Sequence, residues 1–285
     1  MSTTTDPSYI PRGPVETTLT FYVPPADGST PYNYVESPPP NHPQRNYQEG
    51  PQRVQLTDIR GHEASYTLDK HAVRILHSIP TATTYATFAD DAEVRRLYYP
   101  EVSALLLAHL PGAHKVVLFD HTVRRENPAS PRQPVTRAHV DQTPRAAAER
   151  VRLHVEDPVE AEELLKGGRY RIVNVWMPLN GAVQSSPLAF CAADSVDHEA
   201  DLVPIEHRYP HRTGETMGVR FNPAQNWLYL SGVRPDERVL LKCADSAQGV
   251  GIGLGAPHTA FVDERSPVGG RPRESIEVRA LVFGG

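Results

Sequence analysis

The chain has 285 residues, a formal net charge of −5, and 39% hydrophobic and 22% charged residues. That is enough for one large domain with a substantial core or two small ones, and no basic block offers itself to nucleic acid or an anionic membrane. Two cysteines, Cys191 and Cys243, exclude a disulfide framework and a cysteine-rich zinc site.

No apolar run approaches the roughly 20 residues that span a bilayer, and the start MSTTTDPSYIPRGP shows no secretory signal. A cytoplasmic protein is expected. Eleven of the 28 prolines lie at or before Pro51, where they remove backbone donors and fix φ. Residues 1–52 are therefore expected to be an extended segment packed on a single domain of residues 53–285. The exception is Thr17–Val23, β-branched and aromatic, which reads as a strand.

Asp90-Asp91 suits a helix N-terminus. Val94, Leu97, Tyr98 and the run Val102–Leu110 follow at helical spacings until Gly112. His114–Val123 reads as a buried strand, 124–134 as a loop and Val135–Asp141 as a second strand. Helices are expected from Pro144 to Val155 and from Pro158 to Lys166, the latter stopped by Gly167-Gly168. Arg169–Leu179 is a strand closed by Asn180-Gly181, and Leu188–Ala193 is another. Residues 194–216, polar and with three histidines, read as a long loop. Trp227–Ser231, Arg238–Cys243 and Ser275–Phe283 are the remaining strands, and glycines 249, 251, 253 and 255 precede His258. Many short strands with turn signals point to a mainly β jelly roll.

Within this frame, His139-Val140-Asp141 and the distant His258 carry the chemistry. On an extended strand His139 and Asp141 point to one face. Two imidazoles and a carboxylate can take one face of a metal octahedron, leaving the opposite face for substrate, which is the arrangement of non-heme Fe(II) oxygenases. Arg273 and Ser275 share a face of the last strand with Glu277 and Arg279. An arginine fork with a serine hydroxyl suits the far carboxylate of a 2-oxoglutarate cosubstrate. Arg279 competes for that role with Arg273, its alternative being an ion pair with Glu277. The bland reading of the triad is a surface His139–Asp141 pair with His258 capping a loop.

Other motifs carry less. His207 and His211 are separated by Pro210, which argues against a ligand-bearing helix and leaves a loop near the substrate. Asp120 and His121 are adjacent and face opposite ways on a strand. The 249–255 glycines lack the Gly-Lys-Ser/Thr and helix of a phosphate loop, and no G-x-S-x-G elbow occurs.

The segments FDHTVRR, AHVDQTP, NVWMPLNG, LLKCADS, PHTAF and PRESIEVRALVF together make the chain resemble a family of non-heme Fe(II)/2-oxoglutarate oxygenases found largely in fungal secondary metabolism. That family includes hydroxylase/desaturases, an endoperoxygenase and a subunit of bacterial cephamycin C-7 methoxylation. The resemblance runs from about Thr17 to the end. It implies a double-stranded β-helix, Fe(II) on His139, Asp141 and His258, and 2-oxoglutarate near Arg273 and Ser275. With dioxygen, an unactivated C–H bond of a small-molecule substrate would be hydroxylated, desaturated or peroxidised. A homodimer, or a heterodimer with a related subunit, is the expected assembly. The alternatives are one component of a two-protein oxygenase, a non-catalytic partner, or a metal enzyme that needs no ketoacid.

Overall fold

The computed structural model describes residues 6, 8–249 and 251–285; positions 1–5 and 7 of the N-terminal segment and position 250 of the glycine stretch lie outside them. The chain forms β1 (Val15–Val23), β2 (Tyr32–Tyr34), β3 (Gln48–Asp58), a short α1 (Leu68–His71) and β4 (Val73–Leu76). A helical stretch follows as α2 (Asp91–Glu93), a π turn over Val94–Tyr98, and α3 (Tyr99–His109). The wide turn falls just before Pro100, whose missing N–H breaks the regular ladder.

The remaining elements are β5 (Ala113–Arg125), β6 (His139–Val140), α4 (Pro144–His154), α5 (Pro158–Gly167), β7 (Tyr170–Pro178), β8 (Leu188–Cys191), β9 (Leu202–Arg208), β10 (Thr213–Val219), β11 (Trp227–Tyr229), β12 (Arg238–Asp245), β13 (His258–Ala260) and β14 (Glu274–Gly284).

These strands make a nine-stranded sheet, β1-β3-β11-β8-β13-β6-β10-β9-β2, and a five-stranded sheet, β4-β12-β7-β14-β5. From β5 to β8 the chain alternates between the five-stranded and the nine-stranded sheet. It does so again from β11 to β14, starting in the nine-stranded sheet. This alternating winding is the double-stranded β-helix, so the fold expected from sequence is the fold observed.

Strand parity divides the five-stranded sheet cleanly. Val173, Val175, Ile276, Val278, Ala280 and Val282 pack outward with α3 residues Val102, Leu105 and Leu106. Ile172, Trp176, Leu241, Leu281 and Phe283 face the other sheet. Such alternation is what a strand covered on both sides requires.

Two segments differ from expectation. Residues 194–216 are not one long loop: they hold a 3-10 turn at Ala193–Ser195, strand β9 and most of β10, with β9 and β10 paired antiparallel from Leu202↔Val219 to Arg208↔Thr213. Pro204, Gly214 and the charged residues hid the strand signal, because these strands bury little. In the N-terminal region β3 was also not expected. It spans residue 52, and among its residues only Val54 and Leu56 are buried. It pairs with β1 along the full length of β1.

Candidate active site

The strand β6 ends abruptly, because Thr143 and Pro144 start a helix. The Thr143 hydroxyl oxygen accepts the Ala146 N–H as the cap of α4, and proline at the first helical position needs no donor. Asp141 is thus placed at the last extended turn before α4. His139 pairs with Gly218 on β10 and with His258 on β13, which closes the sequence gap between the two histidines. Gly255 makes the approach feasible. A Cβ there would lie 3.0 Å from Val140 Cγ1 and 3.1 Å from the Cys243 carbonyl oxygen, so any larger residue would crowd the passage of this loop between β6 and β12.

One ligand atom each from His139, Asp141 and His258 lies within 4.8 Å of the others. The Asp141 Oδ1 is 3.3 Å from His139 Nε2 and 3.9 Å from His258 Nε2. Ligands at right angles about one ion at roughly 2.1 Å are about 3 Å apart, so the gap between these atoms suits a small cation.

The surrounding contacts orient all three groups. His139 Nδ1 lies 2.8 Å from the Arg137 carbonyl and His258 Nδ1 lies 3.0 Å from the Ala256 carbonyl. A carbonyl oxygen only accepts, so both Nδ1 atoms carry the proton and both Nε2 lone pairs face the gap. Asp141 Oδ2 accepts from Asn174 Nδ2 at 2.8 Å and from Arg279 Nε at 2.9 Å. That leaves Oδ1 as the free ligand atom. Burial opposes ionisation of Asp141, yet Arg279 and the two imidazoles hold its carboxyl well below the usual range. The donor set fits an Fe(II) ion bound on one face.

Beside the triad a cavity of about 30 Å³ is lined by His139, His258, Trp176, Arg124, Arg273 and Glu277. Arg273 enters it as a nearly isolated cation. It is 3% exposed, donates through Nη1 to the Ser186 carbonyl, and among the described residues its Nε has no partner. Burial lowers its pKa to about 10, with Glu126 acting in the opposite sense. Arg124, also lowered by burial, lines the same cavity. Ser275 is buried between Arg273 and Glu277 on β14.

Arg279 has different neighbours: besides Asp141 it donates to Asp120 at 3.0 Å, Thr122 at 3.2 Å and Glu277 at 2.6 Å. Burial disfavours its charge, but Glu277, Asp141 and Asp120 outweigh that and hold its pKa well above the ordinary value.

Asn174 was missed by sequence reasoning. Its signal was a lone amide at an inward position of the apolar strand RYRIVNVWMPL. His207 and His211 do not share a helix: His207 lies on β9, 2.8 Å from the Thr216 hydroxyl, with burial lowering its pKa to about 4.

A facial His-Asp-His site inside a double-stranded β-helix, next to a cavity lined by Arg124 and the buried Arg273, defines the class of non-heme iron oxygenases that use a ketoacid cosubstrate. The comparisons carry this to a family. Residues 19–283 match a family described as "Oxidoreductase/YMDC permease-like domain". The hydroxylase/desaturase poxK of Penicillium oxalicum is 33% identical over 301 residues, covering 96% of this chain and 92% of that protein. The Fe(II)/2-oxoglutarate-dependent dioxygenase nvfI of Aspergillus novofumigatus is 33% identical, covering 95% and 97%. A solved structure of the iron and alpha-ketoglutarate-dependent endoperoxidase NvfI superimposes with a TM-score of 0.85 at 31% identity, covering 96% of this chain and all of that one. The chain belongs to the fungal Fe(II)/2-oxoglutarate-dependent hydroxylase/desaturase family of secondary metabolism. It is an oxidoreductase of the non-heme iron dioxygenase type, and the cofactors expected from sequence are those of its family. Among the described residues no helix is long and apolar enough to cross a membrane.

Proposed function

We propose that this enzyme oxidises an unactivated C–H bond of a secondary-metabolite intermediate, by hydroxylation, desaturation or peroxidation. In this reading His139, Asp141 and His258 hold Fe(II), and Arg273 with Ser275 holds the far carboxylate of 2-oxoglutarate. The observation that carries it is the division of labour at Asp141. Its Oδ2 is occupied by Asn174 and Arg279, while Oδ1 and two imidazole lone pairs converge beside a cavity containing Arg273, whose Nε has no hydrogen-bond partner among the described residues.

Bound there, the iron with 2-oxoglutarate and dioxygen supplies the oxidant for the C–H bond. The chain's own residues do the positioning. Arg279 and Asn174 fix the carboxylate so that it presents one oxygen, and the Arg137 and Ala256 carbonyls fix the imidazole tautomers. Arg273, dry and already ordered against Ser186, offers a fork to an anion at little further cost in ordering. Arg279 serves Asp141 in this account and leaves the cosubstrate to Arg273.

The test is an anaerobic titration of Fe(II) and 2-oxoglutarate into the metal-free protein, read at the visible metal-to-ligand charge-transfer band. The band is expected in the wild type and absent in His139→Ala and Asp141→Ala. A folded, iron-loaded wild type that shows no band overturns the assignment.

A further inference from the structure

The metal ligands stand on one face of the nine-stranded sheet, and strand pairing shows what shares that face. His139 lies opposite Gly218 on β10, and residues opposite one another in a strand pair point to the same side. Side chains return to a side every second residue, so Thr216 stands there too. Thr216 lies opposite Ile205 on β9, which places His207, two residues on, on the same face. One residue beyond the Met217↔Val140 pair, Thr216 comes level with Asp141.

His207 is thus two strands from Asp141, about 10 Å at the usual spacing. Its Nε2 is 2.8 Å from the Thr216 hydroxyl, which holds the ring toward β10 and the triad. The charges of His139 and Asp141 are felt at His207. The residue is partly exposed, and among the described residues its Nδ1 has no hydrogen-bond partner and is not sealed from solvent.

The cosubstrate cavity lies on the other side of β6. Besides His139, its strand residues from this sheet are Leu188 on β8 and His258, Thr259 and Ala260 on β13, with none from β9 or β10. In the sheet order β13 and β8 lie to one side of β6, and β10 and β9 to the other. A ketoacid held at Arg273 therefore leaves the approach over Thr216 and His207 to the second reactant.

That approach carries little charge. Burial lowers the His207 pKa to about 4, so the imidazole is neutral at pH 7. Arg137, the guanidinium that acts on it, is met by the Tyr47 hydroxyl and by Glu49 Oε1 at 3.3 Å. Asn33 on β2, opposite His207, adds an uncharged amide. A neutral imidazole with one free nitrogen suits an uncharged partner, and a hydroxyl can meet that nitrogen in either tautomer.

We propose that His207, anchored by Thr216, orients the substrate: an uncharged small molecule whose hydroxyl bonds to His207 Nδ1 while its oxidisable carbon reaches past Asp141 to the metal. This rests on the oxygenase reading above.

2-Indanol and indane, the same two-ring body with and without a hydroxyl, serve as probes. Equilibrium dialysis against the metal-free protein measures binding. His207→Phe is expected to weaken 2-indanol about tenfold and indane less than about twofold, the difference being one hydrogen bond. His207→Gln, which keeps a donor and an acceptor, is expected to recover most of that loss, and Thr216→Val to show an intermediate one. In protein loaded with Fe(II) and 2-oxoglutarate, 2-indanol is expected to shift the visible band of wild type and, at the same concentration, not that of His207→Phe.

Failure of 2-indanol to bind wild type, an equal loss of both probes in His207→Phe, or no loss of either overturns the contact. Binding that depends on His207 but leaves the band unmoved overturns the approach to the metal. A missing band in loaded wild type, with the dialysis results intact, faults the oxygenase reading instead.

Discussion

Arg273→Gln separates the roles of the two buried arginines. In the wild type the guanidinium is 3% exposed, and among the described residues its side chain has the Ser186 carbonyl as hydrogen-bond partner and an unpaired Nε. A carboxylate held by the fork gains two charge-assisted hydrogen bonds, each about 1.5 to 3 kcal/mol. Part of that gain replaces the Ser186 contact, so a loss of about 3 kcal/mol is reasonable for Gln, or roughly a 150-fold rise in the Kd for 2-oxoglutarate. Stability moves the other way. An uncompensated buried cation disfavours the fold, so metal-free Arg273→Gln is expected to melt at the wild-type temperature or slightly above it. The assay is the anaerobic charge-transfer titration for Kd and calorimetry of the metal-free protein for Tm. A Kd within about threefold of wild type refutes the reasoning and leaves Arg124 as the remaining cation of that cavity.

Arg279→Met should behave in the opposite way. It leaves Asp141, Asp120 and Glu277 facing one another without their shared partner, a loss of about 3 to 5 kcal/mol. Metal-free Tm should fall by roughly 6 to 12 °C, and an unchanged Tm in calorimetry contradicts the account. Burial pushes the Cys191 thiol up to about 12 and Cys243 up as well, so Ellman's reagent at pH 8 should find no reactive thiol in native protein and two in guanidinium. Acid should destabilise the fold through Asp245 and Glu237. Burial opposes their ionisation, but Arg169 and Lys242, and Arg60 with the Arg234 N–H, hold both pKa values below the ordinary range. Each then contributes stability that is full above its unfolded pKa near 4 and lost as pH falls through the lower folded value. Urea midpoints measured from pH 5 to 2 should drop less steeply for Glu237→Gln than for wild type.

Arg238–Cys243 and Ser275–Phe283 were legible because they are predominantly apolar and buried on both faces, and Thr17–Val23 because it is β-branched and aromatic. The other strands that extend the nine-stranded sheet were not. β3 exposes most of its residues and contains Pro51, and β9 and β10 bury little. Their pairing is set by a neighbouring strand and not by their own pattern, so no local periodicity announces them. The triad was legible for a related reason. Two ligands one residue apart on a strand share a face by parity alone, whereas Asn174 reaches Asp141 only because β7 lies in the facing sheet.

Arg273 and Arg279 show where parity stops. Both fall on the inward side by parity, Arg279 within β14 and Arg273 just before its first residue, and parity alone does not rank them. The ranking comes from what stands across the barrel. Arg279 pairs in register with Asn174 and Asp120 and so falls opposite Asp141, where three carboxylates occupy its nitrogens. Arg273 comes before the first residue of the strand, where the chain leaves the sheet near Ser186, and meets the Ser186 carbonyl and the face of the Trp176 ring. Six residues along an extended strand separate the two backbones by about 20 Å, which takes Arg273 away from Asp141 while its side chain still lines the cavity beside His139 and His258. Exchanging the two environments is therefore a sharper trial than deleting either residue. In a protein carrying Asp120→Asn, Arg279 loses one of its three carboxylates while Arg273, which faces Glu126 and Glu277 and not Asp120, keeps its charged neighbours. If Arg273 alone holds the cosubstrate, the Kd for 2-oxoglutarate in the anaerobic titration should stay within about threefold of wild type even as Tm falls. A tenfold tightening would mean that Arg279, once released, takes the carboxylate itself.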